Sequence, residues 1–351
     1  MNKKRVAVVG YGGMGSWHVN KMQNSDVVEC AGIWDIKESR REVAKNNGLH
    51  VYQSLEDVFN DKIVDIITIA TPNDVHAPLA IQAMRAGKHV ISEKPVCMNS
   101  IELQNIFNVS NATGMLFTTH QNRRWDCDFL IFKDLDQSGR LGHVFSIESR
   151  YHGSRGIPGD WRGEYKHGGG MMLDWGVHLI DQILNMVNDQ NVVSVYCRCD
   201  HITNDEVDDG FKLDLYFNHG LVAHIEVGTN HFISLPRYYM TGMHGAAIIQ
   251  DWKSDCNVTL CDQWKEENVV PVVTAAGLTK TMAPRDAKTT TQIVIKRPDS
   301  DVHNFYRNFC AAIDGDEEQL ITHEQLMRVM RIMEAAFLSD KTKQSIPFSD
   351  I

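Results

Sequence analysis

Two side chains suited to proton transfer lie four residues apart in the stretch GGGMMLDWGVHLIDQ, residues 168–182. If this stretch is a helix, Asp174 and His178 lie on neighbouring turns of one face. Histidine exchanges protons near neutral pH, and a carboxylate one turn away can orient the ring or hold a substrate hydroxyl. The pattern also fits a solvated polar stripe, a phosphate loop, or a metal site that lacks a local third ligand. Its meaning therefore depends on what lies opposite it.

A lysine at the end of a predicted strand is the second candidate. The segment HVISEKP, residues 89–95, is typical of a buried strand, and Lys94 follows the apolar run between Glu93 and Pro95. Ligands of open α/β sheets bind at the carboxyl ends of the strands, which is where Lys94 would lie. A solvated lysine at a strand end is the alternative interpretation.

A glycine-rich turn joins the first predicted strand to the first predicted helix. GYGGMG, residues 10–15, matches G-x-G-x-x-G and follows the apolar run KRVAVVG. The glycines permit a tight turn and let a pyrophosphate approach the helix N-terminus. Asp35, 20 residues beyond Gly15 at the end of the second strand, would hold the ribose hydroxyls. Together these features predict a dinucleotide site rather than a glycine loop without a ligand. Its phosphate contacts are predicted to be Gly10, Gly12, Gly13, Met14 and Gly15.

Asp35 also predicts which dinucleotide binds. A carboxylate there repels a 2′-phosphate, and the neighbouring Ile36 offers no donor, so NAD is favoured. Lys37, Arg40 and Arg41 are close in sequence and able to bind a phosphate, so NADP stays as the alternative.

The next predicted strand ends at the same edge of the sheet with ATPN, residues 70–73. Thr71 and Asn73 are therefore predicted to line the nicotinamide half of the cleft, with His76 behind them.

The elements that must position these residues differ between two parts of the chain. In residues 1–121, apolar strand runs alternate with helical stretches, which predicts a Rossmann-type α/β domain with a parallel sheet. In residues 122–351, alternating apolar and polar runs with hairpin signals at 218–220 and 244–245 predict an α+β domain with a large open, mostly antiparallel sheet. One of its strands is expected within residues 257–264, and two amphipathic helices follow.

Composition disfavours several classes of protein. The 351 residues are 43% hydrophobic and 23% charged, as in ordinary globular proteins, and their number favours two domains. The formal net charge of −10 and the lack of a Lys/Arg-rich run disfavour nucleic acid as a partner. No apolar run reaches the roughly 20 residues of a membrane span, and nothing resembles a signal peptide. The eight scattered cysteines form no CxxC pair, which predicts a cytoplasmic protein with reduced thiols and no metal.

The open sheet predicts self-association. Helices such as residues 172–187 are expected to cover one face, and the other face needs a partner. The simplest partner is a second copy, so we expect a homodimer or homotetramer formed through the C-terminal sheet.

As a set, the motifs resemble the glucose–fructose oxidoreductase / inositol dehydrogenase (Gfo/Idh/MocA) family. Their order and spacing match over essentially the whole chain. The resemblance implies a Rossmann domain, a C-terminal α/β domain with a large open sheet, and hydride transfer between a nicotinamide and a secondary alcohol or ketone of a sugar, inositol or related polyol. The motifs are the glycine turn, ATPN with His76, EKP at 93–95, RRWD at 123–126, DWR at 160–162 and GGGMMLDWGVHLID.

The resemblance also implies roles for individual residues. His178 would be the general base in oxidation and the acid in reduction, Lys94 would bind the reacting oxygen, and Asp174 would hold a neighbouring hydroxyl. Trp161 and Arg162 of the DWR motif would reach the nicotinamide side of the cofactor. The remaining predicted cofactor contacts are Glu93, Lys94, Pro95 and Asn122. The predicted substrate contacts are Arg124, Trp125, Tyr151, His152 and Trp161, beside Asp174 and His178.

Two other functions remain open at this stage. Some members of this family cleave glycosidic bonds by transient oxidation, elimination and re-reduction, with NAD recycled in place. The aromatic and His-rich segment of residues 150–170 suits a glycoside pocket equally well. The other alternative is a non-catalytic regulator that senses a sugar or a dinucleotide, although Lys94 and His178 are both present.

Overall fold

The first part of the chain forms a five-stranded parallel sheet in the computed structural model, which describes residues 3–261 and 269–349. The strand order is β2-β1-β3-β4-β5, so the direction of winding reverses at β1. Strands β3 and β4 are buried almost throughout, as expected where both faces of a sheet are covered. The elements are β1 (Lys4–Val9), α1 (Gly13–Met22), β2 (Val28–Trp34), α2 (Glu38–Asn46), α3 (Leu55–Asn60), β3 (Ile66–Ile69), α4 (His76–Arg85), β4 (His89–Ser92), α5 (Ser100–Thr113) and β5 (Phe117–Thr119).

The second part forms a nine-stranded sheet in the order β15-β12-β11-β10-β6-β9-β8-β7-β16. Strands β6 and β9 pair in parallel, and the other neighbours pair antiparallel. The fold class predicted from the sequence is therefore confirmed. The elements are α6 (Cys127–Gln137), β6 (Val144–His152), α7 (Val177–Met186), β7 (Val192–Asp200), β8 (Gly210–Phe217), β9 (Val222–Gly228), β10 (Tyr238–Gly242), β11 (Gly245–Ile249), β12 (Cys256–Cys261), β13 (Val272–Thr274), β14 (Gly277–Thr279), β15 (Thr290–Ile295), α8 (His303–Asp314), α9 (His323–Thr342) and β16 (Ile346–Pro347).

One face of the large sheet packs on helices and the other is open. Helix α9 lies on β7, and α7 lies near β9. Along β8, Leu213 and Leu215 are fully buried, while Lys212 and Tyr216 between and beyond them are exposed. This alternation is the period-2 pattern of a strand with one covered face.

Helix α8 returns to the first domain. The phenol oxygen of Tyr306 lies 2.5 Å from Nδ1 of His18 on α1, and Arg307 forms an ion pair with Asp26 at 2.9 Å. A division after residue 121 therefore separates the two sheets, but the late helical segment packs on both parts.

The sequence predicted the helix around His178 only in part. Residues 172–187 do not form one regular α-helix, because Met172–Gly176 form a π-helical turn before α7 begins. Both predicted hairpins are present, between β8 and β9 and between β10 and β11. The strand expected within residues 257–264 ends at Cys261, and residues 262–264 lie outside the described part. In the part of the chain that the structure describes, no helix is long and apolar enough to cross a membrane.

Candidate active site

A cleft of about 960 Å³ opens at the carboxyl ends of the parallel strands, beside the point where the strand order reverses. Doubly wound sheets bind dinucleotides at such a point. Both domains line the cleft, so its two walls come from segments far apart in sequence. The predicted site residues in its wall are Gly10, Gly12, Gly13, Met14, Asp35, Ile36, Arg40, Thr71, Asn73, Glu93, Lys94, Asn122, Trp161, Arg162, Asp174 and His178.

The glycine turn has the shape that a bound phosphate requires. Gly10 has φ +93°, and a Cβ there would lie 2.4 Å from the carbonyl oxygen of Ala70. A Cβ on Gly15 would lie 1.9 Å from the Gly10 carbonyl oxygen, so Gly15 serves close packing and lies outside the cleft wall. Gly12 and Gly13 face open space at the start of α1, where no described side chain caps the backbone. The turn therefore fits the pyrophosphate of NAD(P), held by backbone N–H groups and the helix dipole.

Asp35 closes the adenosine end of the cleft. Its carboxylate accepts hydrogen bonds from the backbone N–H groups of Tyr11, at 2.7 Å, and Lys37, at 2.8 Å. Arg41 donates to the backbone carbonyl of Asp35 at 2.7 Å and is not part of the wall, whereas Arg40 is. The acid is thus held in place where a ribose would bind, and Lys37 and Arg40 are the cations nearest to that position in the wall.

Lys94 and Asp174 meet across the cleft although they come from different domains. Lys94 Nζ donates to a carboxylate oxygen of Asp174 at 2.8 Å and to its backbone carbonyl at 2.7 Å. Arg162 Nε donates to the other carboxylate oxygen at 3.3 Å. Burial raises the pKa of Asp174, but Lys94 and Arg162 outweigh this effect and hold the value below its ordinary range. Asp174 is therefore an anion that joins the two walls.

His178 lies beside this pair and is 4% exposed. Burial, reinforced by the charges of Lys94 and Arg123, lowers the pKa of His178 well below its ordinary value. Its Nδ1 has no hydrogen-bond partner among the described residues. A neutral imidazole with an uncommitted nitrogen is suited to accept a proton from a substrate hydroxyl.

The glycines that precede this helix let the backbone pass close to its neighbours. A Cβ on Gly168 would lie 2.6 Å from Met98 Sδ, next to the point where Asn73 Nδ2 donates to the Gly168 carbonyl at 2.7 Å. A Cβ on Gly169 would lie 2.2 Å from the carbonyl oxygen of Arg162. These contacts dock the second domain onto the first, which explains the glycines without a phosphate.

Asp208 anchors the start of the helical segment that carries Asp174 and His178. Its carboxylate accepts a hydrogen bond from the backbone N–H of Met172 at 2.7 Å, and its backbone carbonyl accepts one from Met171 at 2.9 Å. Burial raises the pKa of Asp208 to about 8, against the effect of the Met172 hydrogen bond. The sequence analysis did not single out this residue, because a lone acid between two predicted strands carries no local signal.

The raised pKa makes a prediction about stability. Because the folded-state pKa of about 8 lies above the roughly 3.9 of an unfolded Asp, stability should fall as pH rises from about 4 towards about 8. In urea unfolding, Asp208→Asn should lose less stability than the wild type between about pH 5 and about pH 8, since it has no proton to release. Equal losses in the two proteins would contradict this account.

His76 lies behind the cleft wall and does not line it. The ring is 1% exposed, with Nδ1 2.8 Å from the Pro95 carbonyl oxygen and Nε2 2.9 Å from the Thr71 carbonyl oxygen. It therefore holds together the segments that follow β3 and β4. Pro95 likewise lies outside the wall.

Arg124 corrects one of the substrate contacts expected from the sequence, because it does not reach the cleft. Its Nε and Nη2 bind the two carboxylate oxygens of Asp181 at 2.8 and 2.6 Å. Its Nη1 donates to the Leu320 carbonyl at 3.0 Å and to Gln325 Oε1 at 2.9 Å. These donors are used inside the protein, so the structure gives Arg124 a place in the core instead.

Trp125 and Tyr151 also lie outside the cleft wall. Trp125 packs edge-on against Phe305, with 6.1 Å between ring centroids. Tyr151 stacks on Trp175 at 3.8 Å, and Trp175 itself lines the cleft. Tyr151 therefore supports a residue of the wall from behind.

His152 belongs to a polar cluster on the second sheet and not to the cleft. It stacks on His231 with 4.0 Å between ring centroids, and its Nε2 lies 3.6 Å from the Glu226 carboxylate. Arg150 and Lys212 reach the same carboxylate at 3.3 and 3.6 Å. The residue types suit a metal, but two cations already neutralise Glu226, and parallel rings direct their lone pairs into separate planes. The geometry fits an ion-pair network.

Arg123 lines the cleft, although the sequence analysis gave it no contact. Its guanidinium carbon lies 4.5 Å from the ring centroid of Trp175 and 5.0 Å from that of Trp252. From the sequence, Arg123 and Arg124 are equivalent. The short helical turn Asn122–Trp125 separates them, one towards the cleft and one into the core.

The fold and the cleft together define a nicotinamide-dependent oxidoreductase with a site shared between two domains. Family models match both parts: the oxidoreductase family with an NAD-binding Rossmann fold matches residues 4–120, and the GFO/IDH/MocA C-terminal domain matches residues 129–248. The chain therefore belongs to the Gfo/Idh/MocA family and is an NAD(P)-dependent enzyme, which confirms the resemblance read from the motifs.

Individual relatives extend over the whole chain. The scyllo-inositol 2-dehydrogenase (NADP(+)) IolW of Bacillus subtilis is 28% identical over 97% of this chain and 95% of its own. An inositol 2-dehydrogenase of Salmonella typhimurium is 27% identical over 55% of this chain and 57% of its own. Among solved structures, an NAD-binding protein from Listeria innocua is 43% identical, with a TM-score of 0.96 over 99% of this chain and 100% of its own.

Proposed function

We propose that this enzyme transfers hydride between a nicotinamide cofactor and a secondary alcohol or ketone of a sugar, an inositol or a related polyol. The observation that carries the proposal is the meeting of Lys94 from the first domain with Asp174 from the second, beside the buried His178. Lysine, carboxylate and neutral imidazole are the groups needed to bind, orient and deprotonate an alcohol. The names of the inositol dehydrogenase relatives support the same class of substrate.

Each of the three residues has a distinct task in the oxidation of an alcohol. His178 accepts the hydroxyl proton, since its lowered pKa keeps the ring neutral near pH 7. Lys94 donates to the reacting oxygen and stabilises its negative charge as the proton leaves, while remaining close to Asp174. Asp174 accepts a hydrogen bond from a neighbouring substrate hydroxyl. The cofactor, when bound, supplies the acceptor or donor of the hydride. In reduction the same groups act in the reverse order.

The wall around this set suits a polyhydroxylated ring. Trp161 and Trp175 offer aromatic faces, and Arg162 and Asn122 offer donors beside Lys94. A pocket of this kind binds hydroxyl groups through directional hydrogen bonds and covers the C–H faces of a sugar ring with aromatic surface. This combination favours a sugar-like substrate over an apolar alcohol.

A panel of inositols, aldoses, their keto derivatives and glycosides, assayed for cofactor reduction or oxidation, tests the proposal. We expect at least one polyol to change the cofactor in a one-to-one ratio with product. A panel that reacts nowhere, with cofactor bound, would overturn the proposal. Glycoside cleavage without net NADH would replace it by the oxidation–elimination reaction.

We further propose that NAD is preferred over NADP. The fixed carboxylate of Asp35 repels a 2′-phosphate, although Lys37 and Arg40 in the wall oppose this effect. We expect NAD to bind at least about tenfold more tightly, equal to about 1.4 kcal/mol. Asp35→Ser should reduce or reverse the preference, because it removes the repulsion and leaves both cations. Calorimetric titration of the two cofactors measures the difference, and tighter binding of NADP by the wild type would sink the assignment.

We also propose that the enzyme forms a homodimer or homotetramer through the open face of the large sheet. Tyr196 and Tyr216 on β7 and β8 are 39% and 38% exposed there, and Phe145 on β6 is 45% exposed. Aromatic side chains beside a polar rim are typical of protein interfaces. Light scattering should give at least twice the monomer mass of 39.8 kDa, and a stable monomer would contradict the proposal.

A further inference from the structure

Glu93 forms the centre of a buried cluster in the cleft wall. The residue is 5% exposed, and its Oε1 lies 2.8 Å from Nε2 of His18 and 2.9 Å from Nδ1 of His120. Both imidazoles are fully buried. Three titratable groups therefore meet directly beside Lys94, at the end of β4.

The hydrogen bonds define which groups carry protons. Burial raises the pKa of Tyr306 well above its ordinary value, so the phenol stays protonated and donates to Nδ1 of His18 at 2.5 Å. Nε2 of His18 must then carry the ring proton and donate it to Glu93. Burial lowers the pKa of His18, which keeps this ring neutral. Burial would raise the pKa of Glu93, but the two imidazoles bring it well below its ordinary value. Glu93 is therefore ionised.

This charge differs from the other acids at the same end of the cleft. Asp174 forms an ion pair with Lys94 at 2.8 Å, and Asp160 forms one with Arg162 at 2.9 Å. Within residues 3–261 and 269–349, the ion pairs of Glu93 are with imidazoles and not with Lys or Arg. A buried carboxylate without a formal cation acts strongly on any charge that comes close, because little solvent screens it.

The same three side chains could also ligate a metal, but their contacts favour hydrogen bonds. His18, Glu93 and His120 bring their polar atoms within 4.8 Å of one another. A zinc ion, however, needs a deprotonated nitrogen, and Nε2 of His18 carries a proton because Tyr306 donates to the opposite nitrogen. The cluster is therefore better described as a fixed negative charge than as a ligand set.

We propose that Glu93, held by His18 and His120, sets the redox balance of the bound cofactor by favouring the oxidised nicotinamide, which is positively charged, over the reduced ring, which is neutral. The inference rests on the proposed function, since a substrate between Lys94 and His178 requires the nicotinamide at this end of the cleft. Charges near the reactive ring are one way in which a protein tunes a redox cofactor. On the enzyme, the equilibrium should therefore lie towards the alcohol and the oxidised cofactor.

The test compares dissociation constants of the oxidised and reduced cofactor, NADH by fluorescence titration and NAD⁺ by calorimetry. In Glu93→Gln, the ratio Kd(NAD⁺)/Kd(NADH) should rise at least about tenfold, equal to about 30 mV for a two-electron couple. An unchanged ratio would overturn the inference and leave the proposed function intact. Failure of the wild type to bind either form would instead refute the proposed function.

Three controls separate charge from structure. Tyr306→Phe removes the hydrogen bond to His18 but keeps the carboxylate, so its ratio should stay within about twofold of wild type; a shift as large as that of Glu93→Gln would show a structural cause. Glu93→Asp keeps the charge and should weaken both forms alike. If Glu93→Gln does not fold, a tenfold shift in Glu93→Asp still contradicts the inference. One equivalent of tightly bound metal in the purified enzyme, measured by mass spectrometry, would also overturn it.

Discussion

Replacing His178 or Lys94 by alanine should lower turnover at least about 10²-fold while the cofactor still binds. His178 is the buried neutral base, and Lys94 is the cation that stabilises the charge left on the substrate oxygen. Steady-state kinetics with the best substrate of the polyol panel measures the loss, and calorimetry measures cofactor binding. Lys166→Ala is a matched control, because this side chain is 69% exposed and paired at the surface with Glu164. Near-normal turnover in both alanine variants would rule out the mechanism.

The pH profile provides a second reading of the same pair. Lys94 is among the charges that lower the pKa of His178, after burial itself. In Lys94→Ala this pKa should rise towards its ordinary value, so the acidic limb of kcat/KM for oxidation should move to higher pH. Lys94→Arg keeps the charge, and its acidic limb should remain close to that of the wild type. A limb that does not move in Lys94→Ala would mean that His178 is not the titrating base.

The geometry makes activity depend on domain contact. Lys94 meets Asp174 across the cleft, and Asn73 binds the backbone of Gly168 at 2.7 Å next to that contact. The glycines before the helix permit this close approach, and Asp208 fixes the helix from the other side. The base and the oxygen-binding lysine are therefore aligned by the same contacts that join the domains.

Much of this arrangement could be predicted from the sequence, because it depends on strand ends. The glycine turn, Asp35, Asn73 and Lys94 follow apolar strand runs, and the carboxyl ends of parallel strands share one edge. Asp174 and His178 carried their own spacing signal, although a π-helical turn replaces the regular helix between them.

The remaining contacts depend on packing between distant segments. Asp208 caps a helix 36 residues earlier in the chain, and Tyr306 reaches His18 across 288 residues. A sequence alone gives no local pattern for such pairs. It also cannot decide which of two adjacent arginines enters the core, since that depends on the turn they share.

Arg124→Met should lower the free energy of unfolding by about 3–5 kcal/mol, the cost of removing one partner from a buried ion pair. Asp181 is 2% exposed, and its carboxylate would lose both hydrogen bonds from the guanidinium, at 2.8 and 2.6 Å. The Leu320 carbonyl would lose a donor as well. Urea unfolding followed by circular dichroism measures the change. Adding Asp181→Leu to Arg124→Met should recover part of the loss, because no unpaired charge then remains in the core.

Arg123→Met is the matched comparison, because the two side chains are neighbours in sequence. Arg123 is 24% exposed and contacts the cleft, so its loss should cost much less stability than the loss of Arg124. It should instead change kinetics, since its charge helps to lower the pKa of His178. The folded fraction of Arg124→Met should retain the KM of the wild type. If Arg124→Met raised KM and left stability unchanged, Arg124 would be the substrate-binding residue that the sequence alone predicted, and its buried pair with Asp181 would be wrong.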